Sequence, residues 1–304
     1  MPHTVPLIAG DGRAAEALSH VRVLYTDLDG TLVARGGGLL ADAEGAPSLV
    51  VAEAIIELRK AGLAVVPISG RGRQQLREVT ELLGWDGYIA EAGGIIVHGT
   101  GAESETRIDH GEWPPGTLSE GVSPFEAINE VGAAEALMEA FPGRIEQYAP
   151  WQLEREVSLL LRGCLDLAEG QAVLDGLPLL LDLVDNGMLR SHGTLTCRDE
   201  QPHAFHVVPK GVSKKRAIAL DLKWRGLTRE NAAAIGDSAT DLEMADAVSV
   251  MVLVHNAFGS TGVLAGLERT PRENVWRTAG ERGEGWAEFA RTWLRATREA
   301  RRHP

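Results

Sequence analysis

The sequence predicts an α/β fold, a doubly wound parallel sheet interrupted by an inserted α+β domain. Three observations predict it. Near both ends of the chain, short apolar runs rich in β-branched residues alternate with stretches of helical periodicity, the pattern of strands joined by crossover helices. Between about residues 98 and 206 that rhythm gives way to closely spaced strand-like runs and short helices. The chain has 304 residues, beyond the roughly 250–300 at which single cores stop growing, so two units are expected. The expected division is a core of 18–97 with 207–304, and an insertion of 98–206.

Each element has its own signal. VRVLYT (21–26) reads as a buried strand ending at acidic residues. The glycine-rich ARGGGLLADAEGAPS after it reads as a mobile flap rather than a packed element. Residues 49–60 place Val50, Ala54, Ile55 and Leu58 on one helical face; 63–69 is a second strand, 74–83 a helix and 87–91 a third strand. In the insertion, Ser123-Pro124-Phe125-Glu126 opens a helix with a Ser cap, Pro at the first position and Glu at the third. That helix is expected to reach Phe141, where Pro142-Gly143 stops it. Strands at 144–149 and 157–161, a short helix at 167–174, the apolar run PLLLDLVDN and two brief strands at 193–197 follow, on an antiparallel sheet. The first rhythm returns with a helix at 213–224, the strand AAAIGD, a helix at 241–245 and the strand VSVMVLV. The tail RTWLRATREARRHP reads as a basic amphipathic helix with a solvated face.

Composition narrows the function classes. A net charge of −13 argues against DNA or RNA as partner, since a phosphate backbone needs a basic surface. It suits a protein that handles a small anion locally, with a metal or a few placed cations. Cys164 and Cys197 are too few for a disulfide framework and are expected to be reduced. The opening MPHTVPLIAGDGR lacks the basic start and apolar core of a signal peptide, and no apolar run is long enough to span a bilayer. No membrane partner and a cytoplasmic location are the expectations.

Chemistry collects at four strand ends, the place where open α/β sheets bind ligands. The first holds Asp27-Leu28-Asp29-Gly30-Thr31. Asp27 can attack phosphorus as a covalent nucleophile, Asp29 can protonate a leaving oxygen and then activate water, and both can help hold a hard cation. A strand-end turn in which Asp caps the next helix is the plainer alternative. The second is Ser69-Gly70-Arg71, where a hydroxyl, a glycine amide and a helix N-terminus can bind an anion, although a simple turn also explains the triplet. The third is PKGVSKKRAIAL, in which the Lys214 ammonium can neutralise a transferring phosphoryl group. Lys210 and Lys215 are its rivals, and a solvated surface lysine is the ordinary case. In the fourth, Gly236-Asp237-Ser238-Ala239-Thr240-Asp241, two carboxylates four apart can face one magnesium ion, and either alone can be a helix cap. Coincidence explains one such end easily and four in succession poorly.

Together these elements resemble the haloacid dehalogenase superfamily of phosphotransferases, with DLDGT, SGR, the lysine of GVSK and GDSATD matching its four motifs in order. The resemblance implies a Rossmann-like core with an inserted α+β cap. The insertion is similar to the cap of the subgroup containing Cof-like phosphatases, phosphomannomutase, and the phosphatases of sucrose-phosphate and mannosyl-3-phosphoglycerate. The closing GERGEGWAEF looks most like the last of these. Carried over, the resemblance makes Asp27 the nucleophile and a Mg2+ ligand, and Asp29 the general acid/base giving the metal its backbone carbonyl. Thr31 would shape the loop, Ser69 and the Gly70 amide would bind phosphoryl oxygens, Lys214 would balance charge, and Asp237 and Asp241 would hold Mg2+. An acid at position 29 favours phosphate-ester chemistry over dehalogenation. Two departures stand out: Thr240 replaces a usual Asn, and Ala92 in Glu91-Ala92-Gly93 replaces an amide whose hydrogen bonds it cannot make.

Specificity is expected to come from the cap, which in such enzymes closes over the site and reads the substrate beyond phosphate. Arg155, Glu156, Asn186, Arg190 and His192, with Arg71 from the core, are the candidate readers; surface solvation, and for Asn186-Gly187 a hairpin turn, are the plainer readings. The leading expectation is a Mg2+-dependent hydrolase of a small-molecule phosphate ester, a sugar phosphate or a phosphoglycerate-type ester. A phosphosugar mutase and a non-catalytic phosphate sensor are the alternatives, and the sensor would lack a nucleophile or metal carboxylate that this chain retains.

Overall fold

The computed structural model describes residues 5–302 except Arg35; the first four residues of the expected leader-free start, Arg35 of the expected flap and the last two residues of the tail lie outside it. The chain opens with α1 (Gly12–Ser19), β1 (Val23–Thr26), α2 (Val50–Ala61), β2 (Ala64–Pro67) and α3 (Arg73–Leu83). Next come β3 (Gly87–Ala90), β4 (Ile95–His98) and β5 (Glu105–Ile108). The middle of the chain holds α4 (Pro124–Glu130), α5 (Ala133–Ala140), β6 (Ile145–Gln147), β7 (Leu159–Gly163), α6 (Leu167–Leu174), β8 (Leu181–Met188) and β9 (His203–Pro209). It closes with α7 (Lys214–Arg225), β10 (Ala232–Gly236), α8 (Ala239–Leu242), β11 (Val250–Leu253), α9 (Thr261–Arg269), β12 (Val275–Arg277) and α10 (Arg282–Arg302).

The expected α/β core is present. A five-stranded sheet runs in the order β12-β11-β10-β1-β2, and every neighbouring pair is parallel. Alternation along its strands divides the packing. Leu24, Val65, Ile235 and Val252 face one side, against Leu18 of α1, Leu58 of α2 and Trp286 and Phe289 of α10. Tyr25, Val66, Ala234 and Met251 face the other, against Ala217, Ile218 and Leu222 of α7. On α2 the buried face is Val51, Ala54, Ile55 and Leu58.

The third strand does not extend that sheet. β3 pairs antiparallel with β4, and β4 with β5; β3 meets the parallel sheet at the bridge Ile68–Ile89, with the Asp86 amide just before it donating to Val65 O at 3.4 Å. The reason is local: Glu91, Ala92 and Gly93 all have positive φ (51°, 58° and 113°), so the chain turns straight back with no crossover helix. This pairing carries past residue 98 to Ile108.

The second unit is a four-stranded antiparallel sheet, β6-β7-β9-β8, with α4, α5 and α6 on one face. Leu159 and Leu161 of β7 and Phe205 and Val207 of β9 point into that helical layer. Leu160 and His206, paired in register, point the other way, toward the core. The helix expected to reach Phe141 is broken in two at Gly132, whose φ of +72° ends α4. Asn186-Gly187 lies inside β8, at an irregularity against β9, and is not a hairpin tip. Residues 193–197 form a loop, not strands, tied to the end of β7 by a disulfide between Cys164 and Cys197. The expectation of reduced thiols is thus corrected. A low cysteine count excludes a framework but not a single bridge, and the chain brings these two Cα atoms to 6.5 Å across 33 residues.

Candidate active site

The end of β1 carries Asp27, 6% exposed, into the crevice above the parallel sheet. Gly30 turns the chain with φ +89°, and a β-carbon there would lie 2.9 Å from the Asp237 carboxyl carbon, so only glycine lets the first and fourth strand ends meet. Thr31 Oγ1 donates to Asp237 Oδ1 at 3.1 Å, fixing the loop across that junction. Asp27, Asp237 and Asp241 each present a carboxylate oxygen, all within 4.8 Å of one another.

Lys214 closes the cluster from the first turn of α7. Its Nζ donates to Asp27 Oδ1 at 2.9 Å and Asp241 Oδ1 at 2.6 Å, and the residue is 5% exposed. Ser213 caps the helix by accepting from the Arg216 amide, which sets Lys214 at its first position. Of the two rivals, Lys215 pairs loosely with Asp246 at 3.8 Å and Lys210 is exposed in the turn before α7.

Charge is piled up here beyond what Lys214 balances. Burial raises the Asp27 carboxyl well above its ordinary range, and the charges of Asp241 and Asp237 add to that against the Lys214 ammonium. Burial, then the Asp241 charge, pushes Asp237 up to about 7. For Lys214 burial works downward, yet the Asp241 and Asp27 carboxylates outweigh it and the ammonium is held. Three converging carboxylates, with the anionic forms of Asp27 and Asp237 strained in this way, fit a hard divalent cation, which takes oxygen ligands and relieves the repulsion.

Asp241 is itself fixed: its Oδ2 accepts from the Asp237 and Ser238 amides at 3.1 and 3.0 Å and from Ser238 Oγ at 2.6 Å. Thr240 meets Ser238 Oγ at 2.9 Å, so a hydroxyl network occupies this departure from the superfamily pattern. Asn256, which sequence reasoning passed over, donates to Gly30 O at 2.9 Å and Asp237 Oδ2 at 3.2 Å. No motif marks it; only the apolar strand just before it hinted that its loop reaches the same sheet edge.

Ser69 is buried at the end of β2 with its Oγ accepting from the Arg71 amide at 3.3 Å. Arg71 grips Asp29, Nε to Oδ2 at 2.8 Å and Nη2 to Oδ1 at 2.6 Å, and Asp29 is otherwise exposed. The candidate readers divide. Arg155 is buried and docked, donating to Gly70 O at 3.1 Å and Ser158 Oγ at 2.8 Å, and Glu156 pairs with Arg73 at 2.7 Å. Asn186 joins Lys214 and Thr240 in the wall of a cleft of about 970 Å³ between the antiparallel sheet and the core. Arg190 is exposed, and His192 is exposed with Nε2 at 2.7 Å from Glu200 O, on the loop before β9.

Fold and cluster define a capped α/β enzyme with an acidic centre at its strand ends. The comparisons with known proteins narrow this class. A sequence profile of the haloacid dehalogenase-like hydrolases matches residues 185–261. Phosphoglycolate phosphatases of Methanoculleus marisnigri and Metallosphaera sedula are each 26% identical to this chain, over 78% of it and 85% and 86% of their own lengths. The solved sucrose-phosphatase of Synechocystis, in complex with sucrose and phosphate, is similar in fold, with a TM-score of 0.60 at 14% identity over 90% of this chain and 98% of that one. The chain is thus similar to the haloacid dehalogenase-like hydrolases over residues 185–261, and shares the fold of the solved sucrose-phosphatase.

Proposed function

We propose that this protein is a magnesium-dependent phosphatase of a small phosphate ester, acting through a phospho-aspartate at Asp27. The observation that carries the reading is Lys214 Nζ bridging Asp27 and Asp241, with Asp237 beside them. Phosphatase names among the curated relatives support it. Asp27, Asp237 and Asp241 would hold Mg2+ through side chains, and Asp29 through its backbone carbonyl. The ion, when bound, supplies charge neutralisation for the phosphoryl oxygens.

The chain's own residues then divide the work. Lys214 engages Asp27 Oδ1, which leaves Oδ2 to attack phosphorus. The ester P–O bond breaks as the Asp27–phosphorus bond forms, and Asp29 gives its proton to the leaving oxygen. Delivering that proton requires the Arg71–Asp29 pair to open. Asp29 next takes a proton from a water whose oxygen attacks phosphorus; the Asp27–phosphorus bond breaks, phosphate leaves, and Asp27 is again a carboxylate and Asp29 again the acid. Ser69 and the Gly70 amide hold phosphoryl oxygens, and Thr31 keeps the loop in register. In this reading 98–206 is the closing cap over a core of 18–97 and 207–304, and the enzyme works in the cytoplasm on a small molecule.

A phosphate-release screen with Mg2+ over sugar phosphates, phosphoglycolate and phosphoglycerate esters tests the reading. Turnover of at least one substrate is expected, with Asp27→Asn lowering it by at least about a thousandfold while circular dichroism stays unchanged. A variant as active as the parent would remove the nucleophile from Asp27.

A further inference from the structure

All three carbonyls of the Ser69-Gly70-Arg71 turn are engaged, and by different parts of the molecule. Ser69 O accepts from the Ala92 amide at 3.1 Å and Arg71 O from the Glu91 amide at 3.0 Å, both donors belonging to the core. Gly70 O accepts from the cap, from Arg155 Nη1 at 3.1 Å. The groups that the phosphatase reading gives to phosphate are spared: the Gly70 amide and the Ser69 hydroxyl proton donate to nothing among the described residues.

In a trans peptide the carbonyl and the N–H that follows it are coplanar and point opposite ways. With Ser69 O held by Ala92, the core by itself aims the Gly70 amide. With Gly70 O held by Arg155, the Arg71 amide is turned toward Ser69 Oγ, to which it donates at 3.3 Å. Ser69 Oγ is thereby an acceptor from its own turn, and its single proton is left for an acceptor outside it. A phosphoryl oxygen is such an acceptor. Arg155 has little freedom to let go. It is 6% exposed, Nε donates to Trp151 O at 2.9 Å, and Nη1 donates also to Ser158 Oγ at 2.8 Å. Ser158 Oγ donates in turn to Glu91 at 3.0 Å, and the Glu91 carboxylate also accepts from the amides of Glu156, Val157 and Ser158. Burial moves the guanidinium below its ordinary range and the Glu91 charge opposes this, so the arginine keeps its charge. A β-carbon on Gly70 would stand 2.5 Å from Asn186 Nδ2 and 2.7 Å from His206 Nε2, so the cap packs directly on this turn.

We propose that Arg155 is a positioning residue for the phosphate turn: held by the seated cap, it fixes the Gly70-Arg71 peptide and so frees the Ser69 hydroxyl proton for the phosphoryl group, which Arg155 itself does not touch. The core then supplies one phosphate donor unaided, and the cap makes the second one ready. Reciprocity follows, since whatever the seated cap adds to phosphate binding, bound phosphate adds to the seating of the cap. The inference rests on the phosphatase reading.

The test compares the parent with Arg155→Ala and Arg155→Lys, with Mg2+ present, using p-nitrophenyl phosphate as substrate and orthophosphate as competing ligand. Arg155→Ala is expected to weaken orthophosphate inhibition and to lower kcat/KM by about tenfold or more each, while the Mg2+ concentration for half-maximal turnover stays within about twofold. Millimolar guanidinium ion is expected to restore part of that loss and urea none, because only the cation brings the charge and the fork of donors. Arg155→Lys, which keeps the charge without the fork, falls between. On the parent protein, saturating orthophosphate is expected to slow hydrogen exchange at the amides of 156–158 by about threefold or more. Orthophosphate that inhibits Arg155→Ala as it does the parent, or that leaves exchange at 156–158 of the parent unchanged, overturns the role of Arg155 and leaves the phosphatase intact. No turnover of any ester by the parent protein overturns both.

Discussion

Asp27, Asp237 and Asp241 repel one another in a space that burial makes more costly, and one lysine cannot settle three carboxylates. Such a centre is less stable without a cation than a neutral equivalent, and a bound ion returns the difference by mass action. Two outcomes follow for the protein. Millimolar Mg2+ should raise the melting temperature, and excess chelator should reverse the rise and abolish turnover. Asp237→Asn, which removes one negative charge but keeps an acceptor for Thr31, should stabilise the metal-free protein by about 1 kcal/mol and erase most of the Mg2+-induced shift. Calorimetry with and without Mg2+ checks both, and a variant that melts lower than the parent without metal would contradict the account. Most of this centre was legible in the sequence, because its chemistry needs residues adjacent in the chain: DLDGT, SGR and GDSATD each place several groups at one strand end. Asn256, Ser158 and His206 were not legible. Each stands alone, in a stretch whose neighbours are apolar or turn-forming, and only the fold brings Asn256 to the Gly30–Asp237 junction and Ser158 and His206 together beside Glu91.

At the scale of elements, α7 is joined to the sheets by one buried carboxylate. Asp221 accepts from Tyr25 of β1 at 2.6 Å and from Arg225 one turn along at 2.6 Å, and it contacts His98 of β4, whose ring stacks on Trp224 at 3.7 Å between centroids. Since Lys214 opens the same helix, this anchor sets where the ammonium stands. Burial alone would raise the Asp221 carboxyl, but the His98 hydrogen bond, the Arg225 charge and the Tyr25 hydroxyl together hold it below its ordinary 3.8. A depressed carboxyl contributes stability that is full above about pH 4 and is lost as pH falls through its lowered value. Asp221→Ala should therefore cost about 3–5 kcal/mol at pH 7, the penalty of breaking a buried ion pair, with the gap to the parent narrowing below pH 4. Urea unfolding at the two pH values checks it; a gap that widens in acid would be the wrong sign. The elements themselves were well anticipated where periodicity and caps agree, as in α2, α6 and α7. The reversal of β3 was not, because a glycine-containing turn of three residues at positive φ carries no periodic signal.

For the whole molecule, the closed arrangement depends on a core residue holding the cap. Glu91, in a turn whose backbone is left-handed, accepts from the three amides of residues 156–158 just before β7, and Arg155 returns the contact to Gly70 O. Glu91→Ala should leave three buried amides without an acceptor, raise KM by about tenfold and speed hydrogen exchange at 156–158, while the amides of β10 keep their protection. Exchange measured by mass spectrometry separates this from general unfolding, which would expose β10 as well. By itself the sequence determined the fold class, the presence of an insertion and the four strand ends, since each follows from local periodicity or from chemistry contained in a few consecutive residues. Only the tertiary structure decided that Lys214 and not its neighbours meets Asp27, that Cys164 and Cys197 are joined, that Arg155 is spent on docking, and that the His206 ring packs on Gly70. Those facts depend on which side chains meet across long stretches of chain, and no local pattern encodes such meetings.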